Sequence, residues 1–547
     1  MSLKTKQLFL SLFSGILLIV AWPAHGSAIF LFVGFVPLLL LENHFVATNG
    51  NPGRLFGLNY IAFLIWNIGT TWWVYNASLG GALMAFGFNS LFMAIVFQLF
   101  FITHKKLGST AGYLGLIAYW IGFEYLHLQW DLSWPWLTLG NGFASYWKWV
   151  QWYEFTGVFG GTLWILLSNL LLFKLFQFFP GRKLKFNIGN IHREEKHEKN
   201  IKFKILLITL LGLVFIPIIV SYTMYLSYKE QAKPVDVVVV QPNIDPYNEK
   251  FSGLSPEEQL AKMLRLAMLA VDSNTEYIVV PETALPVELN ERGLINTDEV
   301  QTIKKILKNY SKLTFVGGLA SFKEYQKGEA ISSTARKFTQ GEGYYDNFNT
   351  GMQVDNTDSV QLYHKSKLVP GVERMPLPSI LKYLDKFALN LGGTVGSLGT
   401  QEERSVFTAP SGIKVAPVIC YESVYGEYVT GYIKNKADFI FIITNDGWWG
   451  DTPGYQQHAN YARLRAIETR RSIARSANTG ISCFVNQRGD ITQPTKWWEP
   501  TVIKEKINAN SKRTFYVEYG DYIAKFFSII AIGLLLINFV LFIKGKF

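Results

Sequence analysis

Long apolar stretches alternate with short polar connections along the first 226 residues, and one more apolar stretch lies near residue 530. Each stretch approaches the roughly 20 residues that an α-helix needs to cross about 30 Å of hydrocarbon. The pattern therefore predicts eight transmembrane helices, near residues 7–24, 28–42, 56–75, 81–103, 110–127, 160–178, 203–226 and 523–543. The first stretch resembles a cleavable signal peptide, but the seven further stretches favour a retained helix.

Residues 227–520 follow a different pattern. Short, apolar runs with β-branched residues predict strands buried on both faces, at 235–241, 277–281, 314–318, 414–419 and 438–444. Apolar residues at spacings of three and four predict helices between them, such as 256–272. A helix is also predicted from about 455 to 476, with its five arginines on a salt-bridged surface. This alternation predicts a layered α/β or α+β domain in which helices cover sheet.

The two patterns divide the chain into three parts. Seven helices occupy residues 1–226, a polar domain occupies 227–520, and the eighth helix with a short tail occupies 521–547. Residues 1–180 contain 11 charged side chains, in a chain with 52 Lys and Arg and 41 Asp and Glu. This distribution rules out a wholly soluble enzyme, and the long charged remainder rules out a bare helical bundle such as a simple channel. The polar domain is long enough to bury a full core without disulfides.

The formal net charge of +11 is arranged around the apolar stretches. If the N-terminus is cytoplasmic, the connections on the cytoplasmic side hold most of the basic residues that flank the apolar stretches: Lys4, Lys6, Arg54, Lys105, Lys106, the loop at 180–204, Lys544 and Lys546. The opposite short connections hold only Lys148. Because cytoplasmic loops carry an excess of Lys and Arg, this asymmetry predicts that residues 227–520 lie outside the cytoplasm, beside the bilayer. It also argues against nucleic-acid binding, since these basic residues form no separate patch.

Reactive side chains follow three of the predicted strands. Glu282 follows YIVVP, Cys420 follows KVAPVI, and Asn445 and Asp446 follow DFIFIIT. Because reactive groups in open sheets gather beyond the carboxyl ends of the strands, we expect a single site. Lys365 lies in a loop-like stretch, YHKSKLVPGVERMP.

A Cys, a Glu and a Lys can together perform acyl transfer. A thiol with a pKa of about 8.5 is a poor nucleophile until a base takes its proton or a cation lowers its pKa, and Glu282 and Lys365 can supply these functions. The thiolate of Cys420 then attacks a carbonyl carbon and forms a thioester. The ammonium of Lys365 and the backbone N–H of Tyr421 are candidates to stabilise the oxyanion. We expect no metal or other cofactor, because no His, Cys or Asp cluster has ligand spacing.

The same residues can also have purely structural roles. Cys420 and Cys483 are the only cysteines, and an exported domain meets an oxidising environment, so a structural disulfide is the natural alternative to a nucleophile. Cys483, in GISCFVN, has the setting of a buried strand residue. By position alone, Glu282 can be a surface carboxylate, and Lys365 and Lys367 can be solvated loop charges.

Together, these motifs resemble those of the nitrilase, or carbon–nitrogen hydrolase, superfamily. The likeness rests on a Glu after an apolar strand, a Lys and a Cys in that chain order, in VVPETALP, YHKSKLVP and CYES, and on the phrases VVQPNID, TNDGWWG and QHANYARLRAIETRRSIARSANTG. It implies an α-β-β-α sandwich with Cys420 as the nucleophile, Glu282 as the general base and Lys365 as the oxyanion stabiliser. It implies supporting or substrate-binding roles for four further residues: Glu373, Tyr421, Glu422 and Trp448.

Over its full length, the chain resembles the apolipoprotein N-acyltransferase family of bacterial inner-membrane enzymes. The resemblance implies that an acyl chain passes from a membrane phospholipid to Cys420, and then to the N-terminal amine of an S-diacylglyceryl-cysteine lipoprotein. It implies a multi-pass protein of the bacterial inner membrane whose catalytic domain is periplasmic. Two alternatives are a membrane-tethered amidase of the same superfamily, which hydrolyses small amides, and a non-catalytic membrane scaffold.

The chain departs from the family pattern at three places. Lys367 stands where a His is common, Gly371-Val372-Glu373 replaces Phe-Gly-Glu, and Phe251 lies near where a Trp is often found. These departures bear on the shape of the pocket and the donor preference more than on the type of reaction. The apolar stretch 377–391 is predicted to be either a lid that dips toward acyl chains or plain core.

Overall fold

The computed structural model describes residues 2–179, 196–250, 253–374 and 397–545. Phe251 and the predicted lid at 377–391 lie outside the described residues. The chain divides into two compact units. The first comprises Met1–Tyr75, Ala82–Ser227 and Asp521–Phe547, and the second comprises Asn76–Gly81 and Tyr228–Gly520.

The described residues up to 227 form helices and the turns between them. The α-helices are α1 (Leu3–Val20), α2 (Val36–Ala47), α3 (Pro52–Thr71), α4 (Val74–Ala77), α5 (Leu79–His127), α6 (Tyr153–Phe178) and α7 (Lys196–Ser227). Short 3-10 helices lie at Ala28–Phe32, Pro135–Leu137 and Leu139–Trp149. Each of the first seven predicted apolar stretches therefore overlaps helical structure.

Six helical segments in the described part of the chain are long and apolar enough to cross a membrane. They are Leu3–Val20, Ala28–Ala47, Leu79–His127, Tyr153–Phe178, Asn200–Ser227 and Tyr522–Ile543. The predicted helices 81–103 and 110–127 are joined in the 49-residue α5, which bends at Gly108, where φ is 83°. Helix α3 overlaps the predicted 56–75 but contains buried Asn59, Asn67 and Thr70, and it is not one of the six. The count of eight spans therefore stays a prediction.

Capping residues set helix ends that the apolar pattern does not register. Asn51 precedes α3, and its side-chain oxygen accepts a hydrogen bond from Arg54 N at 3.0 Å. Pro52 occupies the first turn, where a missing N–H costs nothing. Because of this cap, α3 begins four residues before the predicted 56.

The second unit is built on β-strands. In chain order they are β1 (Pro234–Gln241), β2 (Thr275–Val279), β3 (Leu285–Asn290), β4 (Thr314–Glu324), β5 (Arg336–Lys337), β6 (Tyr344–Val354), β7 (Val360–His364), β8 (Phe407–Thr408), β9 (Lys414–Ile419), β10 (Phe439–Thr444), β11 (Ile473–Ala477), β12 (Cys483–Val485), β13 (Ile491–Thr492) and β14 (Thr501–Asn508). The five strands predicted from sequence correspond to β1, β2, β4, β9 and β10.

The strands form two sheets. The larger sheet has the order β14-β1-β2-β4-β6-β5, with β3 beside β4 and β7 beside β6. The smaller sheet has the order β13-β12-β11-β10-β9-β8. At the centre of each sheet the strands are parallel, namely β1, β2 and β4 in one and β9, β10 and β11 in the other. Parallel pairing brings the carboxyl ends of neighbouring strands to one edge, where the predicted site residues follow.

The two sheets contact each other through side chains. The rings of Tyr277 on β2 and Phe441 on β10 meet edge to face at 5.1 Å, and Ser476 Oγ on β11 donates a hydrogen bond to Val240 O on β1 at 2.8 Å. Helices α8 (Pro256–Met268) and α9 (Asp298–Leu307) contribute Leu260, Met263 and other apolar side chains to the core of the larger sheet. A capping box of Ser255 and Glu258 starts α8.

The remaining α-helices of the described residues are α10 (Gly426–Lys434), α11 (Pro453–Thr469), α12 (Phe515–Tyr519) and α13 (Tyr522–Ile543). The predicted helix 455–476 is wrong in its carboxyl-terminal part: α11 ends at Thr469, because Arg470 is left-handed with a φ of 49°. The predicted surface for its arginines is also wrong, since Arg465, Arg471 and Arg475 are fully buried. Arg471, for example, donates to Ala437 O at 2.8 Å, so its charge is hydrogen-bonded inside the protein.

Candidate active site

Three predicted site residues lie just beyond the ends of strands. Lys365 is the first residue after β7, Cys420 is the first after β9, and Glu282 is the third after β2. The backbone at two of these turns is left-handed, with a φ of 49° at Cys420 and 44° at Thr283. Such conformations cost about 1–3 kcal/mol for residues other than glycine and persist only where the surroundings hold them. The turns that present Cys420 and Glu282 are therefore held by specific contacts.

Lys365 joins two carboxylates in a buried ion cluster. Its Nζ donates to Glu282 Oε1 at 2.9 Å and to Glu373 Oε1 at 2.8 Å, and the Lys365 side chain is only 1% exposed. Asn349 Nδ2 donates to the same two oxygens at 2.7 and 2.9 Å. The Asn349 carbonyl also accepts from Lys365 N at 2.8 Å. Strand β6 therefore holds both the Lys365 backbone and its carboxylate partners.

The ion pair of Lys365 and Glu282 keeps both of these side chains charged. Burial raises the pKa of the Glu282 carboxyl, but the Lys365 ammonium and its hydrogen bonds outweigh burial, so this pKa lies below its ordinary value. Burial lowers the pKa of Lys365, but the Glu282 and Glu373 carboxylates outweigh it, so this pKa lies well above its ordinary value. At neutral pH, the resting cluster therefore holds an ammonium and a carboxylate that can accept a proton.

Cys420 is a neutral thiol at rest. Burial raises its pKa well above the ordinary value, the Glu282 carboxylate raises it further, and Lys365 offsets only part of this. The side chain also forms a hydrogen bond with Thr444. Cys420 and Cys483 are both buried free thiols, so the alternative of a disulfide is not seen. Of the two activations weighed from sequence, these surroundings favour removal of the thiol proton by a base over a thiolate stabilised by a cation.

Glu422 connects the turn at Cys420 with the loop that bears Lys365. Its Oε2 accepts a hydrogen bond from Ile419 N at 2.9 Å, and its Oε1 accepts one from Ser366 N at 2.7 Å. Burial raises the pKa of this carboxyl. The backbone immediately before Cys420 and the backbone immediately after Lys365 therefore bind the same side chain, which fixes the two residues relative to each other.

Glu373, Tyr421 and Trp448 occupy different surroundings. Glu373 is in the ion cluster, and its Oε2 also accepts from Val369 N at 2.8 Å. Tyr421 follows Cys420 in the 3-10 helix Cys420–Val424, and its ring packs edge-on against another tyrosine. Trp448 belongs to a separate aromatic pair, because its ring lies 5.3 Å from that of Tyr247, whose hydroxyl donates to Trp448 O at 2.9 Å. The structure thus joins Glu282, Lys365, Glu373 and Cys420 and places Trp448 in another group.

Sequence reasoning missed Asn349 and Lys250. Lys250 Nζ donates to Thr283 Oγ1 at 2.5 Å, and burial lowers its pKa to about 8 against the opposing pull of Glu282. It therefore supports the turn that follows Glu282. A signal for Asn349 was present, since β6 buries an unusual run of polar side chains: Asp346, Asn347, Asn349, Thr350 and Gln353. Buried polar residues on a strand are more informative than apolar ones, because each needs a partner.

Within the residues that the structure describes, no group of three or more His, Cys, Asp or Glu side chains is arranged to hold a metal ion. The charged side chains that act on the Cys420 thiol are Glu282, Lys365 and Asp446.

Comparison with known families identifies both parts of the chain. Residues 237–515 match the carbon–nitrogen hydrolase family, and residues 14–171 match the apolipoprotein N-acyltransferase N-terminal domain. The second unit thus contains a carbon–nitrogen hydrolase domain with an α/β sheet fold. The chain belongs to the apolipoprotein N-acyltransferase family, which confirms the resemblance inferred from the motifs.

The similarity to individual relatives covers nearly the whole chain. An apolipoprotein N-acyltransferase of Chlorobaculum tepidum is 30% identical over 535 residues, covering 95% of this chain and 94% of that protein. One of Geobacter metallireducens is 24% identical over 544 residues, covering 96% of this chain and 93% of the relative. Among solved structures, Saccharomyces cerevisiae Nit3, a member of branch 10 of the nitrilase superfamily, is 14% identical with a TM-score of 0.36, covering 51% of this chain and 92% of that one.

Proposed function

We propose that the protein transfers an acyl chain from a membrane phospholipid to the N-terminal amine of S-diacylglyceryl-cysteine lipoproteins, through a thioester on Cys420. The observation that carries the proposal is the buried ion cluster of Glu282, Lys365 and Glu373, in which Glu282 and Lys365 act electrostatically on the Cys420 thiol. Membership of the apolipoprotein N-acyltransferase family supports this acceptor and this type of reaction over the hydrolysis of small amides.

In the first half-reaction, Cys420 Sγ attacks the ester carbonyl of the phospholipid while Glu282 takes the thiol proton. The negative charge on the carbonyl oxygen is stabilised by the Lys365 ammonium and the Tyr421 N–H. When the tetrahedral intermediate collapses, the glycerol oxygen leaves with the proton that Glu282 returns. The products are a lysophospholipid and an acyl thioester on Cys420.

In the second half-reaction, the N-terminal amine of the lipoprotein attacks the thioester carbonyl. Glu282 accepts a proton from the attacking amine, and the same two donors stabilise the second oxyanion. Collapse expels the Cys420 sulfur, which recovers its proton from Glu282, and leaves an amide. Glu373 and Asn349 take no proton in this scheme; they hold Lys365 and Glu282 in place through the hydrogen bonds described above.

We further propose that eight helices span a bacterial inner membrane, with residues 1–226 and 521–547 in the membrane region and residues 227–520 on the periplasmic side. The six apolar helical segments and the one-sided distribution of Lys and Arg support this topology. The contact between the two sheets, with helices packed on them, supports the α-β-β-α sandwich. Both substrates are lipid-anchored, so a domain tied to the outer leaflet can reach them.

The proposal is tested with purified protein in detergent, a phospholipid labelled in its acyl chain, and a diacylated lipopeptide. We expect the label to appear on the lipopeptide, by way of a labelled protein that accumulates when the lipopeptide is left out. Release of the label mainly as free fatty acid would instead indicate the hydrolytic alternative. Label that transfers equally well with Cys420→Ser contradicts the thioester route.

A further inference from the structure

A second buried polar cluster contacts the backbone of Cys420, and the mechanism above makes no use of it. Arg475 Nη2 donates to Asp446 Oδ2 at 2.6 Å, and Asp446 Oδ1 lies 2.9 Å from His458 Nδ1. His458 Nε2 lies 2.9 Å from Ser423 Oγ and 3.2 Å from the carbonyl oxygen of Cys420. The side chains of Arg475, Asp446 and His458 are 0% exposed.

The position of one proton follows from these distances. Ser423 Oγ lies 2.7 Å from Cys420 O and donates its only proton to that carbonyl, because a carbonyl oxygen can only accept. Ser423 Oγ then faces His458 Nε2 as an acceptor. This pattern assigns a proton to His458 Nε2, which donates it toward Ser423 Oγ and Cys420 O. The carbonyl of Cys420 is thus the meeting point of two donors.

That carbonyl shares a peptide group with the N–H of Tyr421. A peptide is planar, and when it is trans, as every described peptide in this chain is, the C=O and the N–H point in opposite directions. Fixing Cys420 O toward Ser423 and His458 therefore aims the Tyr421 N–H away from them. Donors at a carbonyl oxygen also polarise the peptide and strengthen the hydrogen bond that its N–H can give.

We propose that His458 is a positioning residue that orients and polarises the Cys420–Tyr421 peptide, and thereby sets the strength of Tyr421 N–H as an oxyanion donor. This inference rests on the oxyanion role that the proposed function gives to Tyr421. It also accounts for the left-handed Cys420, since two hydrogen bonds to its carbonyl hold a conformation that the residue rarely adopts alone.

Asp446 and Arg475 keep the His458 ring in its orientation. Burial raises the pKa of the Asp446 carboxyl, but Arg475 and His458 outweigh it and bring this pKa to about 2, so the carboxylate stays charged. Asp446 Oδ1 also accepts from Thr444 Oγ1 at 2.9 Å. On the ring face, Trp449 packs edge-on against His458 at 5.6 Å. The imidazole is held at Nδ1 and on its face, which leaves Nε2 aimed at the Cys420 turn.

Two amide substitutions distinguish the contribution of His458 Nδ1 from that of Nε2. The amide nitrogen of a glutamine reaches the position of Nε2, whereas that of an asparagine reaches only the position of Nδ1. His458→Gln therefore keeps a donor for Ser423 and Cys420, and His458→Asn keeps only a partner for Asp446. If the role of His458 were only to satisfy Asp446, the asparagine variant would be the better substitute.

The test measures single-turnover acylation of Cys420 by labelled phospholipid and by a p-nitrophenyl ester, and alkylation of Cys420 by iodoacetamide. Acylation passes through an oxyanion, whereas alkylation at a saturated carbon does not. We expect His458→Asn to slow acylation by both esters by about 10- to 100-fold, less than the loss of a whole oxyanion donor. We expect alkylation and the apparent affinity for the ester to change less than about twofold, and His458→Gln to recover most of the acylation rate.

Each other outcome decides against the proposal. The proposal would be overturned if His458→Asn acylated Cys420 at the wild-type rate, or if the asparagine variant were more active than the glutamine variant. It would also be overturned if acylation and alkylation were lost in parallel, because a parallel loss indicates general collapse of the site. The unfolding midpoint of each variant in detergent identifies such collapse. If the proposed function fails, the result is different: the wild type reacts with the p-nitrophenyl ester but takes no label from phospholipid. The comparison of the variants on the p-nitrophenyl ester then still tests the role of His458.

Discussion

Lys365 and Glu282 form an ion pair of 2.9 Å in which neither side chain is more than 9% exposed. In the proposed mechanism, the pair links two tasks that follow one another. While Glu282 is a carboxylate, it holds the ammonium; once it has taken the thiol proton, its attraction for Lys365 falls. The ammonium is then more available to the oxyanion, which forms in the same step. One buried pair can thus move positive charge to the substrate when negative charge develops there.

Replacing Glu282, the proposed base, tests this coupling directly. Glu282→Gln keeps the size of the side chain but cannot take a proton, so we expect acyl-enzyme formation to slow by about 10²- to 10⁴-fold. Single-turnover labelling with phospholipid measures the rate. Glu288→Gln is the matched control, because Glu288 is an exposed carboxylate on the neighbouring β3. Thioester formation at the wild-type rate in Glu282→Gln would contradict the assignment of Glu282 as the general base.

The two cysteines are expected to behave differently. Cys420→Ser should abolish the labelled acyl-enzyme, whereas Cys483→Ser should retain it, because Cys483 is a buried free thiol on β12. Hydroxylamine release of the label from the wild type, followed by gel analysis, checks that the bond is a thioester. Equal loss of label in both variants would point to a shared structural role for the cysteines.

Removing Lys365 is expected to shift the pH dependence of acylation. In Lys365→Met, two buried carboxylates remain without their cation, and like charges this close cannot both ionise, so the pKa of the Glu282 carboxyl rises. Acylation requires the carboxylate form; its acid limb therefore moves to higher pH, in addition to an overall loss of rate. The measurement is the acylation rate across pH 4 to 8.

Lys367→Met is the control for this shift. The Lys367 ammonium lies 4.9 Å from the ring centre of Tyr425, and Lys367 is two residues from Lys365. Its removal should leave the acid limb where it is in the wild type. An equal displacement in both variants would mean that the shift reflects the net positive charge of the loop and not the ion cluster.

Asp446 is expected to contribute pH-dependent stability. Its pKa falls from an ordinary 3.8 to about 2 in the folded protein, so the stabilisation is fully present above the ordinary value and is lost as pH falls toward 2. A shift of this size corresponds to about 2 kcal/mol. The unfolding midpoint in detergent should therefore separate wild type from Asp446→Asn more at pH 6 than at pH 3. Asp451→Asn, at an exposed carboxylate, is the matched control for the substitution itself.

Much of the site could be predicted from the sequence, because its reactive residues come directly after strands. Apolar runs fixed β9 at its observed limits and placed Cys420 directly after it. The predicted order of Glu, Lys and Cys then indicated the family, which the comparisons confirm. The assignment of Glu282, Lys365 and Cys420 to individual catalytic roles stays a prediction that the geometry supports.

Other features depend on contacts that no local pattern contains. Asn349 lies inside β6, and its partners Glu282 and Glu373 are 67 and 24 residues away. Arg475 resembled a surface arginine because charge periodicity does not reveal that a guanidinium is satisfied by a buried carboxylate. Polarity patterns predict which residues avoid water, but not which buried polar groups pair across the fold.

The site residues are divided between the two sheets. Glu282, Asn349 and Lys365 belong to the larger sheet or the turns that follow its strands, whereas Cys420, Asn445 and Arg475 belong to the smaller one. Until the sheets have docked, Cys420 lacks the neighbouring Glu282 carboxylate, which is its base in the proposed mechanism. In that mechanism and topology, a newly exported chain is unreactive while it folds, and it gains acylating activity only when its tertiary structure is complete.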